Sequence, residues 1–282
     1  MKVQHFSREG VVGCLSMIVF LVAPILIAQE DAPAPTAANF VVEAQNLRAK
    51  GDFAGAAAAI AQAIEQAPNN SDLRQSAGVL YFFAGNPTAS VKHFDAYLEM
   101  VPKRVPYHWQ RGISHYYAGL FAEGQKQFEV HQTVNGSDVE NSAWHFLCVA
   151  SKDGVDVARE KLIPVTGDQR VPMAEVLAMF EGRFTPERVI RAAGKDAEAL
   201  CYAHLYIGLY LEVTGDLEGS LKHIRLAAKN YAQPHYMGEV ARVHLKLRSK
   251  KGAEDKETTK GKKKPAGELQ IPNAPKAGDP KK

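Results

Sequence analysis

AQNLRAKG (44–51), GVLYFFAG (78–85) and GISHYYAG (112–119) are one short pattern written three times, each copy 34 residues after the last. A small residue opens each copy (Ala44, Gly78, Gly112) and a glycine closes it (Gly51, Gly85, Gly119). Two more columns keep the spacing: Leu47, Tyr81 and His115 inside the pattern, and Ile60, Phe94 and Phe128 beyond it. Pro68 and Pro102 continue the series, and Gly136 stands where a third proline would fall. Each column has a physical reading as part of a helical hairpin. The small residue sits where the first helix, A, packs closely on the second, B. The closing glycine sits where helix A stops, because glycine tolerates the left-handed conformation that ends helices. Ile60, Phe94 and Phe128 face the core from helix B. The prolines end helix B because proline cannot continue it.

A hairpin repeated every 34 residues resembles the tetratricopeptide repeat. After residue 136 the period weakens. Residues 140–151 and 155–163 read as a shorter hairpin, and 172–181 and 186–193 as another, with Thr185-Pro186-Glu187 as a good helix start. The pattern then returns: Gly208 and Gly215 are spaced like Gly78 and Gly85, and Ile224 takes the helix B position. Residues 235–248 form a last amphipathic helix, expected to cap the final hairpin. No strand-type alternation appears. The predicted fold is all-α: a tetratricopeptide-repeat solenoid of helical hairpins over residues 37–248, with a C-terminal capping helix.

RGISHYYAG (111–119), the segment YIGLYLEVTGDLEGSLKHIRLAAKN within 200–230, and the intervening WHFLCVA and MAEVLAMFEGRFTPERVI are similar to the NlpI family of bacterial envelope lipoproteins. The resemblance spans about residues 40–247. Its specific part is the order of elements: three regular hairpins, two short ones, a regular one and a cap. It implies a homodimeric envelope scaffold that brings a tail-specific protease to peptidoglycan hydrolases. This chain departs from the family twice. Cys14 stands near the start of the apolar run instead of ending it, as a lipid-attachment site would, and a basic tail is added.

The two ends differ from the body. Lys2 and Arg8 precede an uncharged stretch, residues 11–28, in which 15 of 18 residues are apolar. This is the layout of a secretory signal, and its length also approaches the ~20 residues of a membrane span. Residues 1–29 are therefore read as a signal peptide or N-terminal anchor, and residues 30–36 as a Pro/Ala linker. Residues 249–282 are Lys-rich and lack aromatic residues, so a disordered tail is expected there. The chain's net charge of +3 thus divides into a tail of +5, an export segment of +1 and a mildly acidic body.

A repeat solenoid offers a concave surface lined by its A helices. Taking Ala37, Ser71 and Val105 as the first positions of the repeats, its groove is expected to hold Arg48, Gln75, Val79, Phe82, Trp109, Ile113 and Tyr116, with Leu205, Leu209 and Glu212 from the last hairpin. Aromatic side chains beside an arginine are common binding hot spots, and an apolar or aromatic peptide segment is the expected occupant. Packing against neighbouring hairpins or a second copy favours the same residue types, so both readings stand.

The ten histidines form no HExxH, and no CxxC, phosphate loop or GxSxG appears. No catalytic residue, metal or cofactor is expected. His93, His131 and His223 on B helices, His115, and the Trp144-His145 pair read as packing. Cys148 and Cys201 lie on A helices of non-adjacent hairpins and are expected as buried free thiols. Lys260, Lys262, Lys263 and Lys264 read either as a solvating tail or as a contact with anionic lipid or wall polymer; nucleic acid is not expected. The combined expectation is an exported, non-catalytic protein-binding scaffold of the periplasm or envelope membrane. The alternatives are a self-assembling structural protein, or an enzyme or carbohydrate-binding protein without a recognisable motif.

Overall fold

The computed structural model describes residues 34–261, and every regular element among them is helical. Six antiparallel hairpins follow one another: α1 (Ala37–Ala49) with α2 (Phe53–Gln66), α3 (Ser71–Phe83) with α4 (Pro87–Met100), and α5 (Trp109–Tyr117) with α6 (Phe121–Gln132). The short pairs α7 (Val139–Asp153) with α8 (Val155–Glu160) and α9 (Met173–Phe180) with α10 (Pro186–Ala193) come next. The long α11 (Ala197–Thr214) pairs with α12 (Leu217–Arg225), and α13 (Tyr236–Gly261) ends the described chain. The expected all-α tetratricopeptide solenoid is the observed architecture. No described helix is long and apolar enough to cross a membrane. The expected export segment 1–29, linker residues 30–33, and Lys262, Lys263 and Lys264 lie outside the described residues.

The repeat columns do what their chemistry requires. Gly51, Gly85 and Gly119 have φ of 78°, 80° and 77°, so each A helix ends on a residue that bears the left-handed conformation without strain. Asp52, Asn86 and Asp216 then cap the next helix, each accepting from the backbone N–H three residues on. The small column marks the closest approach within each hairpin. A methyl group added to Gly78 would lie 2.3 Å from the Phe94 ring, and one added to Gly112 would lie 2.6 Å from Phe128. Alanine in a helix is usually about 1 kcal/mol better than glycine. Gly78→Ala is expected to reverse that sign and cost about 1–3 kcal/mol, because Phe94 is fully buried and cannot yield. A urea midpoint equal to or above that of the wild type would refute it.

Two boundaries and one contact differ from the sequence expectation. The third repeat does not begin its helix at Val105: residues Pro102–Tyr107 form a 3-10 turn and α5 starts at Trp109. Pro102 and Pro106 supply no backbone N–H, and a proline biases the residue before it away from the α conformation. The last helix does not stop at 248 but runs to Gly261, into the stretch expected to be a disordered tail. Residues 250–256 hold three Lys with one Ala and one Glu, all strong helix formers. Finally, α13 packs on α12 and α11 as a cap would, and also reaches α3.

The core is graded along the chain. The first two hairpins close on a cluster of small and aliphatic residues, Ala44, Ala56, Ala59, Ala63 and Ile60 among them. From α5 onward the cluster is bulky, with Trp144, Tyr206, Phe128, Phe146 and Phe180 fully buried. Cys148 and Cys201 are both buried and free.

Candidate functional site

The A-helix side of the solenoid carries the expected groove residues, and α13 lies across part of it. The Tyr236 ring stacks on Phe82 at 5.8 Å and 5°. It also meets Phe83 at 5.1 Å and Trp109 edge-on at 4.8 Å. His244 Nδ1 and the Tyr117 hydroxyl share a hydrogen bond of 3.0 Å, and Lys246 Nζ donates to the Ala84 carbonyl at 2.8 Å. Arg248 pairs with Glu212, whose Oε2 accepts from the Tyr116 hydroxyl at 3.3 Å.

Phe82, Ile113 and Tyr116, expected as groove lining, are buried. Tyr236 of the last helix covers Phe82, while Ile113, Tyr116, Leu205 and Leu209 are buried in the core cluster of the hairpins themselves, so all five are packing residues in this conformation. Hairpin periodicity carries no mark of this contact, since Tyr117 and His244 are 127 residues apart.

The covered zone leaves two hollows. The first, of about 210 Å³, lies between the first two hairpins and holds Arg48, Gln75 and Val79 beside Val41, Ala44 and Ile60. Arg48 is exposed and makes no ion pair among the described residues. Gln75 is held by both ends of its amide: Nε2 donates to Gln110 Oε1 at 2.8 Å, and Oε1 accepts from His108 Nε2 at 2.7 Å. His108 Nδ1 meanwhile accepts from the Arg111 amide and so caps α5.

The second hollow, of about 300 Å³, contains the remaining expected residue, Trp109. Its walls are Trp109, Trp144, Tyr202 and Tyr236, with Asn141 and His235 between them. One side is a charged network around Arg170, on the segment joining α8 to α9. Arg170 donates to Asp138 at 2.7 Å, to Asp168 at 2.7 and 3.0 Å, and to Glu140 at 2.5 Å. Tyr206 completes Glu140 by donating to its second oxygen at 2.6 Å. Burial pushes the Glu140 carboxyl above the usual carboxylate range, against the pull of Arg170 and Tyr206. Burial also pushes Asp168 up, but the bonds from Arg170 and from two backbone amides outweigh it and hold the group low.

None of this network was visible as a sequence motif. Glu140 and Arg170 are 30 residues apart on different elements. Among the described residues no three His, Cys, Asp or Glu side chains gather to hold a metal ion. His93, His131 and His223 lie on the B helices α4, α6 and α12, and His115 is buried.

The geometry agrees with a comparison to known families. Residues 47–110 match the model of the tetratricopeptide repeat, from the end of α1 to the start of α5. The chain thus carries tetratricopeptide repeats, a class whose usual role is to hold other proteins. The hairpins after residue 110 extend the same stacking beyond the matched part.

Proposed function

We propose that this chain is a non-catalytic scaffold that binds a segment of another protein in the hollow between its first two hairpins. The observation that carries this reading is an apolar floor (Val41, Ile60, Val79) beside an exposed, unpaired Arg48. That combination suits an apolar side chain followed by a carboxylate. The hollow lies at the end of the groove that α13 leaves open.

The scaffold works outside the cytoplasmic membrane, in the bacterial envelope. The charged-then-apolar layout of residues 1–29 supports export, and the similarity to the NlpI family supports a homodimer that recruits a protease or peptidoglycan hydrolases.

A photo-crosslinking residue at Val79, with one at exposed Lys126 on α6 as control, tests the binding reading in the host. Cross-links to a different protein are expected at 79 and not at 126, with Arg48→Glu lowering their yield about tenfold. Cross-links only to a second copy would favour a self-assembling structural protein instead. No cross-link at 79 would refute the scaffold reading at this hollow.

A further inference from the structure

We propose that Asn135, in the turn joining α6 to α7, is a site of spontaneous deamidation, and that its conversion sets a second carboxylate against Asp138. This goes beyond the protein-scaffold reading, which concerns the hollow between the first two hairpins.

Deamidation is an attack within the chain. The backbone nitrogen of the residue after an asparagine gives its proton to solvent and bonds to the side-chain Cγ. A five-membered succinimide forms, the Cγ–Nδ2 bond breaks, and the nitrogen leaves as ammonia after taking a proton from water. Water then opens the ring at either carbonyl, giving aspartate or isoaspartate. The reaction needs an exposed carboxamide, a following N–H that no acceptor holds, and little bulk on the following residue.

Asn135 meets all three needs. Asn135-Gly136 is the sole Asn-Gly pair of the chain, and both residues are exposed. The Gly136 N–H has no acceptor among the described residues. The glycine has no Cβ to shield the attacking nitrogen.

The other described asparagines each fail one need. Asn39, Asn46 and Asn141 lie inside helices, where the backbone ladder holds the next amide. The Asn70 N–H that follows Asn69 donates to the Ala67 carbonyl at 3.1 Å, and the Tyr231 N–H that follows Asn230 donates to Leu226 at 3.0 Å. Asn86 precedes Pro87, which has no N–H. Asn70 caps α3, its carboxamide oxygen held by the amides of Asp72 and Leu73, and the next residue is a serine with a Cβ.

The surroundings give the conversion a structural consequence. Asn135 Nδ2 donates to Asp138 Oδ2 at 3.1 Å and to His131 Nε2 at 3.4 Å. His131 Nδ1 donates to the Pro106 carbonyl at 2.8 Å, so the neutral ring can only accept at Nε2. An aspartate at 135 presents oxygens where both neighbours need a donor. The other oxygen of Asp138 accepts from the Glu140 amide, capping α7, and from Arg170. The new charge therefore falls at the edge of the Arg170 network, where three carboxylates already face one guanidinium.

Full-length protein is incubated at about pH 8.5 and about pH 5.5, folded and in urea, and mapped by peptide mass. The peptide holding residue 135 is expected to gain one mass unit and to split into two products of equal mass. Conversion is faster at the higher pH, because the attacking nitrogen must lose its proton. Folded and unfolded chains are expected to convert within about threefold of each other, since no bond of the fold holds the Gly136 N–H. A methyl group on Gly136 would meet nothing nearer than 3.7 Å, so Gly136→Ala keeps the fold. That variant is expected to remain mostly unconverted when the wild type is half converted, with its melting temperature unchanged or raised. Asn135→Asp is expected to lower the urea midpoint further than Asn135→Ala, which removes the bond to Asp138 without adding charge, and salt should narrow the gap. No mass gain at 135, a folded rate far below the unfolded one, or an equal rate in Gly136→Ala would each overturn the site. An Asn135→Asp midpoint at or above that of Asn135→Ala would overturn its consequence.

Discussion

Acidification from about pH 6.5 to about pH 4 is expected to remove most of the stability of this solenoid. Burial pushes His108, His115, His204 and His244 down to about 4 from the usual 6.5. The sign follows from where the protons go. Below pH 6.5 these side chains take up protons in the unfolded chain but stay neutral in the folded one until about pH 4. Their contribution is therefore fully present above 6.5 and is lost as the pH falls through that window. The ceiling is about 3 kcal/mol for each histidine, against a whole-domain stability of about 5–15 kcal/mol.

The geometry explains why the neutral forms are required. A proton on His108 Nδ1 would cancel the bond from the Arg111 amide that caps α5. His204 and His223 meet Nδ1 to Nδ1 at 2.9 Å, a bond possible only while one ring nitrogen is unprotonated. His244 is wholly buried, and that burial outweighs the pull of Glu212 toward the charged form, with Arg248 adding to the opposition. Glu140 works the other way, since its raised pKa favours folding on acidification, but it is one group against four. Urea midpoints measured from pH 7.5 down to pH 4.5 check the expectation, and a flat series would refute it.

Arg170→Ala is expected to cost about 3–5 kcal/mol at neutral pH, the size typical of stripping the partner from a buried charge. The Asp168 and Glu140 side chains are 5% and 10% exposed, so neither carboxylate can turn to water for compensation. Asp138 also caps α7, so the segment before α9 would lose its anchor to that helix. The loss should shrink on acidification, because Glu140 can then be buried as a neutral acid. Arg170→Lys should recover only part of it, since an ammonium cannot present the fork that spans three carboxylates. Chemical denaturation at pH 8 and pH 5.5 reads both effects. A cost below about 1 kcal/mol at pH 8 would show that the network is solvated rather than structural.

Burial by α13 and the cavity beside it bear differently on function. The hollow at Arg48 and Val79 lies between the first two hairpins and has no wall from α13. The aromatic cavity is walled in part by α13 itself, through Tyr236 and Met237. Its shape thus depends on the helix that also covers Phe82.

Six hairpins, their order and most of their limits were legible in the residue pattern, because each rests on interactions within about 34 residues. A glycine with positive φ, a capping Asp or Asn and a ring facing a missing Cβ recur at fixed offsets along the chain. The short 3-10 turn before α5 was legible in principle from Pro102 and Pro106. The fate of the groove was not. Phe82 and Tyr116 have the same apolar character whether they await a partner or pack within the chain, since burial by any surface favours the same side chains. Nor could spacing reveal that Glu140, Arg170 and Tyr206 would join, or that Asn141, Trp144, Tyr202 and Tyr236 would line one cavity. Those meetings join residues that are far apart along the chain. They depend on how successive hairpins rotate against each other, which periodicity within a hairpin does not encode.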